Sequence, residues 1–174
     1  MKNVKLIVSD IDGVWTNGEF YYSNDGDIIR KFTTRDSYGV SLCRLANIPI
    51  LIVSSEKNEM VERRMEKLNI DLVELGIRNK LKVITSYCNK FNIGLKEVAY
   101  IGDDMNDYHI LNKVGVFACP GDSYHLIRDA ANIVLKTSGG GGVFREFVEQ
   151  ILESKGILQQ TYEKYFDECL QKQE

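Results

Sequence analysis

The chain has 174 residues, 44% hydrophobic and 27% charged, with a formal net charge of -3 and a pI near 5.5. That is an ordinary globular composition, long enough for one sizeable core, and it predicts a single domain over 1–174. The acidic balance excludes a broad nucleic-acid footprint, and no apolar run reaches the length of a membrane span.

In chain order, strand-like apolar runs cover 4–9, 48–53, 70–75, 98–101, 114–119 and 133–135. Most are continuous rather than alternating, as strands covered on both faces are. Between them lie helical patterns: Val40, Cys43 and Ala46; Val61, Met65 and Leu68; Leu81, Ile84, Cys88 and Phe91; and a short one with Tyr108 and Leu111. This order predicts an α/β, Rossmann-like parallel sheet flanked by helices. Two segments stand apart. Residues 18–32 alternate about the turn Ser23-Asn24-Asp25-Gly26, which predicts a β-hairpin. With its lead-in it makes a flap over 13–32, hanging over the end of the first strand. Near the C-terminus, Val143, Phe144, Phe147, Val148, Ile151 and Leu152 form a helical stripe that stops at Gly156. A second amphipathic stretch, the tail helix over 157–174, is expected to dock on the core or on another subunit. No segment is long enough to form a cap domain.

Ligands of open parallel sheets bind at the carboxyl ends of the strands. The first strand ends in Asp10-Ile11-Asp12-Gly13, the second in Ser54-Ser55, and the fourth in Gly102-Asp103-Asp104-Met105-Asn106-Asp107. After the third comes Lys80, about to open a helix. A nucleophile pair, a hydroxyl, an ammonium and an acidic cluster thus meet one sheet edge. Close carboxylates repel and are costly to bury, and Mg2+ relieves both problems. The set suits phosphoryl transfer, which needs an in-line nucleophile, a metal and donors to spread charge. Asp10 is then the nucleophile and Asp12 the general acid and base. Ser54 and Lys80 bind the phosphate, and Asp103 completes the metal site. Each residue alone has a plainer reading: a turn, a strand-end cap, a solvated lysine, a helix cap. The four in order are specific.

These motifs resemble the haloacid dehalogenase superfamily of phosphohydrolases. The resemblance covers nearly the whole chain and implies Mg2+ held by the Asp10 and Asp103 carboxylates and the Asp12 backbone carbonyl. Asp12-Gly13-Val14-Trp15-Thr16-Asn17-Gly18, Arg35-Asp36-Ser37-Tyr38-Gly39 and Gly139-Gly140-Gly141-Gly142-Val143-Phe144-Arg145-Glu146 are similar to the small capless phosphatases of 2-keto-3-deoxy sugar acids. That group acts on 3-deoxy-manno-octulosonate 8-phosphate or nonulosonate 9-phosphates, and it implies a homotetramer. Ser54-Ser55 departs from the usual threonine and glycine but keeps the hydroxyl. Glu56 stands where the octulosonate enzymes carry arginine, and Ser37 where they carry glycine, so a nonulosonate 9-phosphate is the favoured substrate.

The absent cap also predicts an oligomer, because the reaction must be shielded from stray water. Met60, Arg64 and Lys67 share one helical face. Arg64 and Lys67 are either solvated or pair with the substrate carboxylate across a subunit boundary. The glycines at 139–142 form either a hinge or a close approach to substrate. Met1 is not followed by a secretory leader, so a cytoplasmic protein is expected. Cys43, Cys88, Cys119 and Cys169 lack metal-ligand spacing and are expected to be buried thiols in a reducing compartment. A phospho-accepting receiver domain is the rival from another class. It carries its accepting aspartate on a middle strand, whereas no aspartate ends the third strand here. A catalytically silent structural subunit is a third reading, which the full set of charged residues disfavours.

Overall fold

The computed structural model describes residues 1–171, with 27 and 28 described by backbone alone. The last three residues of the expected tail helix lie outside the described residues. Six parallel strands form the central sheet: β1 (Leu6–Ser9), β4 (Ile50–Val53), β5 (Leu72–Glu74), β6 (Val98–Ile101), β7 (Val116–Cys119) and β8 (Ile133–Val134). Their spatial order is β5-β4-β1-β6-β7-β8. The chain leaves β1 for β4 on one side and returns to β6 on the other. The end of β1 is therefore the switch point of the sheet, where a crevice opens between diverging connections.

The strands β1, β4, β5, β6 and β7 are each shared between two cores. Leu6 and Val8 of β1 face one layer with Leu51, Val53, Tyr100 and Phe117, while Ile7 faces the other with Ile50, Ile52, Ala99 and Ala118. On the second face lie helices α1 (Arg35–Leu45), α2 (Glu59–Lys67) and α5 (Val143–Ser154). The small Ala99 and Ala118 share that layer with Phe144 and Phe147 of α5. On the first face lie α3 (Lys80–Phe91) and α4 (His125–Ala130). The helix α6 (Leu158–Gln171) rests on α1 and α5 through Leu158 and Tyr162.

The strands sit inside the expected runs, shorter by up to two residues at either end. Two expectations need correction, and one helix was not foreseen. The hairpin is β2 (Tyr21–Ser23) and β3 (Gly26–Ile29), so the flap begins later than residue 13. Its expected lead-in is a turn whose Val14, Trp15 and Thr16 are buried, with Trp15 stacked on Phe144 at 4.5 Å. The short helix over Tyr108 is a 3-10 turn over Met105–Ile110. Finally, α4 had no clear stripe to announce it, with only Ile127 buried. Cys43, Cys88 and Cys119 are buried free thiols, while Cys169 is only half-buried.

Candidate active site

Asp10 leaves β1 with its backbone N–H still bonded to the Ile101 carbonyl at 3.0 Å, which holds the strand end rigid. The Ile11 N–H donates to Asp10 Oδ1 at 2.8 Å. Behind it, Ser9 Oγ donates to the Asp10 carbonyl at 2.7 Å and accepts from the Trp15 indole N–H at 2.9 Å. The buried Trp15 turn thus buttresses the nucleophile candidate.

Lys80 opens α3 and is fully enclosed. Its ammonium lies 2.6 Å from Asp10 Oδ2, 2.7 Å from Asp107 Oδ1 and 3.5 Å from the Tyr100 hydroxyl. The Tyr100 hydroxyl donates to Asp107 Oδ1 at 2.5 Å, and the Asp103 N–H donates to Asp107 Oδ2 at 3.1 Å. The Asp103 carboxylate rests on Gly13. A Cβ added there would meet Asp103 Oδ2 at 1.8 Å. Gly102 makes the same room for Asp107, whose Oδ2 would be 2.1 Å from an added Cβ.

Carboxylate oxygens of Asp10, Asp103 and Asp107 lie within 4.8 Å of one another. One ammonium faces three acids. Burial, and then the neighbouring Asp107, push the Asp10 pKa up to about 7 despite Lys80. Burial with Asp10 and Asp107 pushes Asp103 up to about 8. Burial alone would depress Lys80, but its two carboxylates outweigh that and raise it. The negative charge is undercompensated by protein groups, and all the donors are hard oxygens. That combination fits a divalent cation of the Mg2+ type.

Asp12 turns away from this cluster. Its carboxylate is met by Arg30 Nη1 at 2.8 Å and 3.1 Å. Burial raises its pKa, with Arg30 opposing. Asp10, Asp12, Phe20, Ser54, Glu56 and Asp103 line a cavity of about 350 Å³. Ser54 is buried, and its Oγ accepts from the Glu56 N–H at 3.2 Å, so the turn after β4 carries both residues into the wall.

The fold therefore gathers Asp10, Asp12, Ser54, Glu56 and Asp103 at one cavity, with Lys80 enclosed behind Asp10. It does not bring Arg64 or Lys67 there. Arg64 donates to the Thr33 carbonyl at 3.1 Å and to Ser37 Oγ at 2.9 Å, which ties α2 to the start of α1. Lys67 is exposed at the end of α2. Nor do the glycines at 139–142 make a hinge. Gly140 N–H donates to the Val14 carbonyl at 2.8 Å, and a Cβ on Gly139 would meet the Gly13 carbonyl at 2.1 Å. Their close approach is to the turn after β1. Sequence reasoning missed Asp107, Arg30 and Tyr100 as partners. Asp107 carried a signal, since it follows Asp103 by four residues in the same acidic run. Arg30 and Tyr100 carried none.

A family model described as haloacid dehalogenase-like hydrolase matches residues 54–147. The 3-deoxy-D-manno-octulosonate 8-phosphate phosphatase KdsC of Escherichia coli (strain K12) is 32% identical over 160 residues, covering 92% of this chain and 85% of that protein. The crystal structure of a probable YrbI family phosphatase from Pseudomonas syringae superposes with TM-score 0.90 at 33% identity, covering 95% of this chain and 94% of that one. The octulosonate 8-phosphate phosphatase of Moraxella catarrhalis superposes with TM-score 0.89 at 26% identity, covering 94% of each chain. Its crystal structure holds a magnesium ion, a phosphate ion and a KDO molecule.

Proposed function

The chain belongs to the haloacid dehalogenase-like hydrolases, and on that premise we propose that it is a Mg2+-dependent phosphatase of a phosphorylated 2-keto-3-deoxy sugar acid. The observation that carries the reading is Lys80 wedged 2.6 Å from Asp10 and 2.7 Å from Asp107, beside an acid cluster that one ammonium cannot balance.

In this reading Asp10 attacks phosphorus. The Ile11 N–H and the Lys80 ammonium fix its carboxylate plane, and Lys80 favours the ionised form. The ester P–O bond breaks, and Asp12 gives its proton to the leaving oxygen. Water then attacks the aspartyl phosphate. Asp12 takes the water proton, the bond to Asp10 breaks, and inorganic phosphate leaves with Asp10 restored. Ser54 donates its hydroxyl to a phosphate oxygen. Asp10, Asp103 and Asp107, with the Asp12 backbone carbonyl, would hold Mg2+, which supplies charge neutralisation for the transferring phosphoryl group.

The named relatives support octulosonate 8-phosphate as substrate. Glu56 favours a second reading: it lies in the cavity wall, where its carboxylate can accept from the hydroxyls of a nonulosonate 9-phosphate. Arg64 and Lys67 serve either substrate only if another subunit brings them to the cavity. We accordingly propose a homotetramer. The exposed Tyr21 and Ile29 of the hairpin and Phe166 and Leu170 of α6 are apolar surface that such contacts would cover. Light scattering tests the assembly, and a fully active monomer rejects it. Phosphate release from both substrates with Mg2+ and with EDTA tests the activity, and release undiminished in EDTA rejects the metal assignment.

A further inference from the structure

Among the described residues, Arg30 at the base of the hairpin pairs with Asp12 in the cavity wall. Arg30, the residue after β3, puts a single guanidinium nitrogen 2.8 Å from Asp12 Oδ1 and 3.1 Å from Oδ2. The Arg30 side chain is 1% exposed. Its guanidinium carbon lies 4.4 Å from the centre of the Phe20 ring, and Phe20 stands just before β2 in the cavity wall. The two legs of the hairpin thus grip one side chain: Phe20 carries the guanidinium, and the guanidinium holds Asp12. Arginine is almost never fully buried unless paired, so this burial is tied to the contact.

We propose that Arg30 is the positioning residue of Asp12, through which the hairpin sets the direction of the general acid's carboxylate in the cavity. The inference rests on the phosphatase reading above. A free aspartate samples a broad range about its terminal torsion. Proton transfer needs the donor oxygen within hydrogen-bond reach of the leaving oxygen. One nitrogen spanning both carboxylate oxygens removes that freedom. It leaves room for the proton that Asp12 transfers, because a protonated carboxyl keeps one O–H donor beside its remaining acceptor capacity. The Phe20 ring in turn fixes the guanidinium by a cation–π contact. Arg30 need not touch the substrate for this role.

The test exploits leaving groups. An alkoxide needs a proton to depart, whereas dinitrophenolate does not. Single-turnover ester cleavage is measured with 2,4-dinitrophenyl phosphate and with the faster of octulosonate 8-phosphate and a nonulosonate 9-phosphate. Arg30→Met is expected to slow cleavage of the sugar-acid phosphate by about 10- to 100-fold, the scale of a mispositioned general acid. The dinitrophenolate burst and the sugar-acid KM should stay within about threefold of the wild type. Arg30→Lys, which keeps a cation, should recover part of the loss. An equal slowing of both substrates would overturn the inference, because Arg30 would then serve folding or phosphate binding. So would unchanged cleavage of the sugar-acid phosphate in Arg30→Met. A wild-type chain that cleaves neither sugar-acid phosphate overturns the phosphatase reading itself, and a wild type that cleaves one while the variants fail the pattern overturns this inference alone.

Discussion

The Asp103 carboxylate occupies the volume that a side chain on Gly13 would fill: an added Cβ would lie 1.8 Å from Oδ2 and 2.2 Å from Cγ. Gly13 also has φ +77°, which a residue with a side chain adopts only under strain. Gly13→Ala should therefore push Asp103 out of the acid cluster. The expected outcome is a rise of about tenfold or more in the Mg2+ concentration for half-maximal activity, the scale at which displaced ligand geometry is felt. A Mg2+ titration of phosphate release checks it, and an unchanged midpoint contradicts it.

Lys80→Met keeps most of the aliphatic stem and removes the ammonium that pairs with two buried acids. Breaking a buried pair in this way costs about 3–5 kcal/mol. We expect a lower thermal midpoint and loss of turnover together. A variant as stable and active as the wild type would show that Lys80 balances nothing in the site.

Asp36 offers a pH test away from the cavity. It is fully buried on α1, and its Oδ1 accepts from the Arg145 N–H at the start of α5 at 3.2 Å. Burial outweighs this bond and the nearby Arg64 and raises the carboxyl from 3.8 to about 6. A folded pKa above the unfolded one means that the native state binds the extra proton between those values. Asp36 therefore contributes stability below about pH 4 that is lost as pH rises through 6. Relative to the wild type, Asp36→Asn should gain up to about 3 kcal/mol between pH 4 and pH 7. Urea unfolding of both chains at the two pH values checks it, and a gap independent of pH contradicts it.

Substrate choice turns on Glu56 in the cavity wall. If it accepts from sugar hydroxyls, Glu56→Ala should lower kcat/KM for the preferred sugar acid by about 10- to 100-fold, the scale of hydrogen bonds to a charged group. Activity on dinitrophenyl phosphate should hold. The sugar acid that loses more is the one Glu56 recognises, and equal small effects on both would remove Glu56 from specificity.

The strand ends were readable because buried parallel strands are apolar until they stop, so Asp10, Ser54 and Asp103 announced themselves by breaking the runs. Spacing could not show where a side chain turns. Asp12 stands two residues from Asp10, yet it faces Arg30 rather than the acid cluster, a pairing across 18 residues that depends on the hairpin's fold. Tyr100 looked like one more apolar strand residue, and only the path of the turn over Met105–Ile110 brings Asp107 to its hydroxyl. The glycines at 139–142 were legible as a constraint but not as one imposed by the backbone after β1. Arg64 and Lys67 share a helical face as expected, yet within one chain Arg64 bonds to Thr33 and Ser37 and neither residue lines the cavity, which periodicity alone could not show.

Phosphate release by Asp10→Asn, against the wild type at saturating Mg2+ and with a folded variant verified by circular dichroism, decides whether Asp10 is the nucleophile. The substitution is nearly isosteric and removes the nucleophile. Covalent catalysis at Asp10 predicts a fall in kcat of about a thousandfold or more, because residues that act as a unit fail together. A fall of only a few-fold would contradict it.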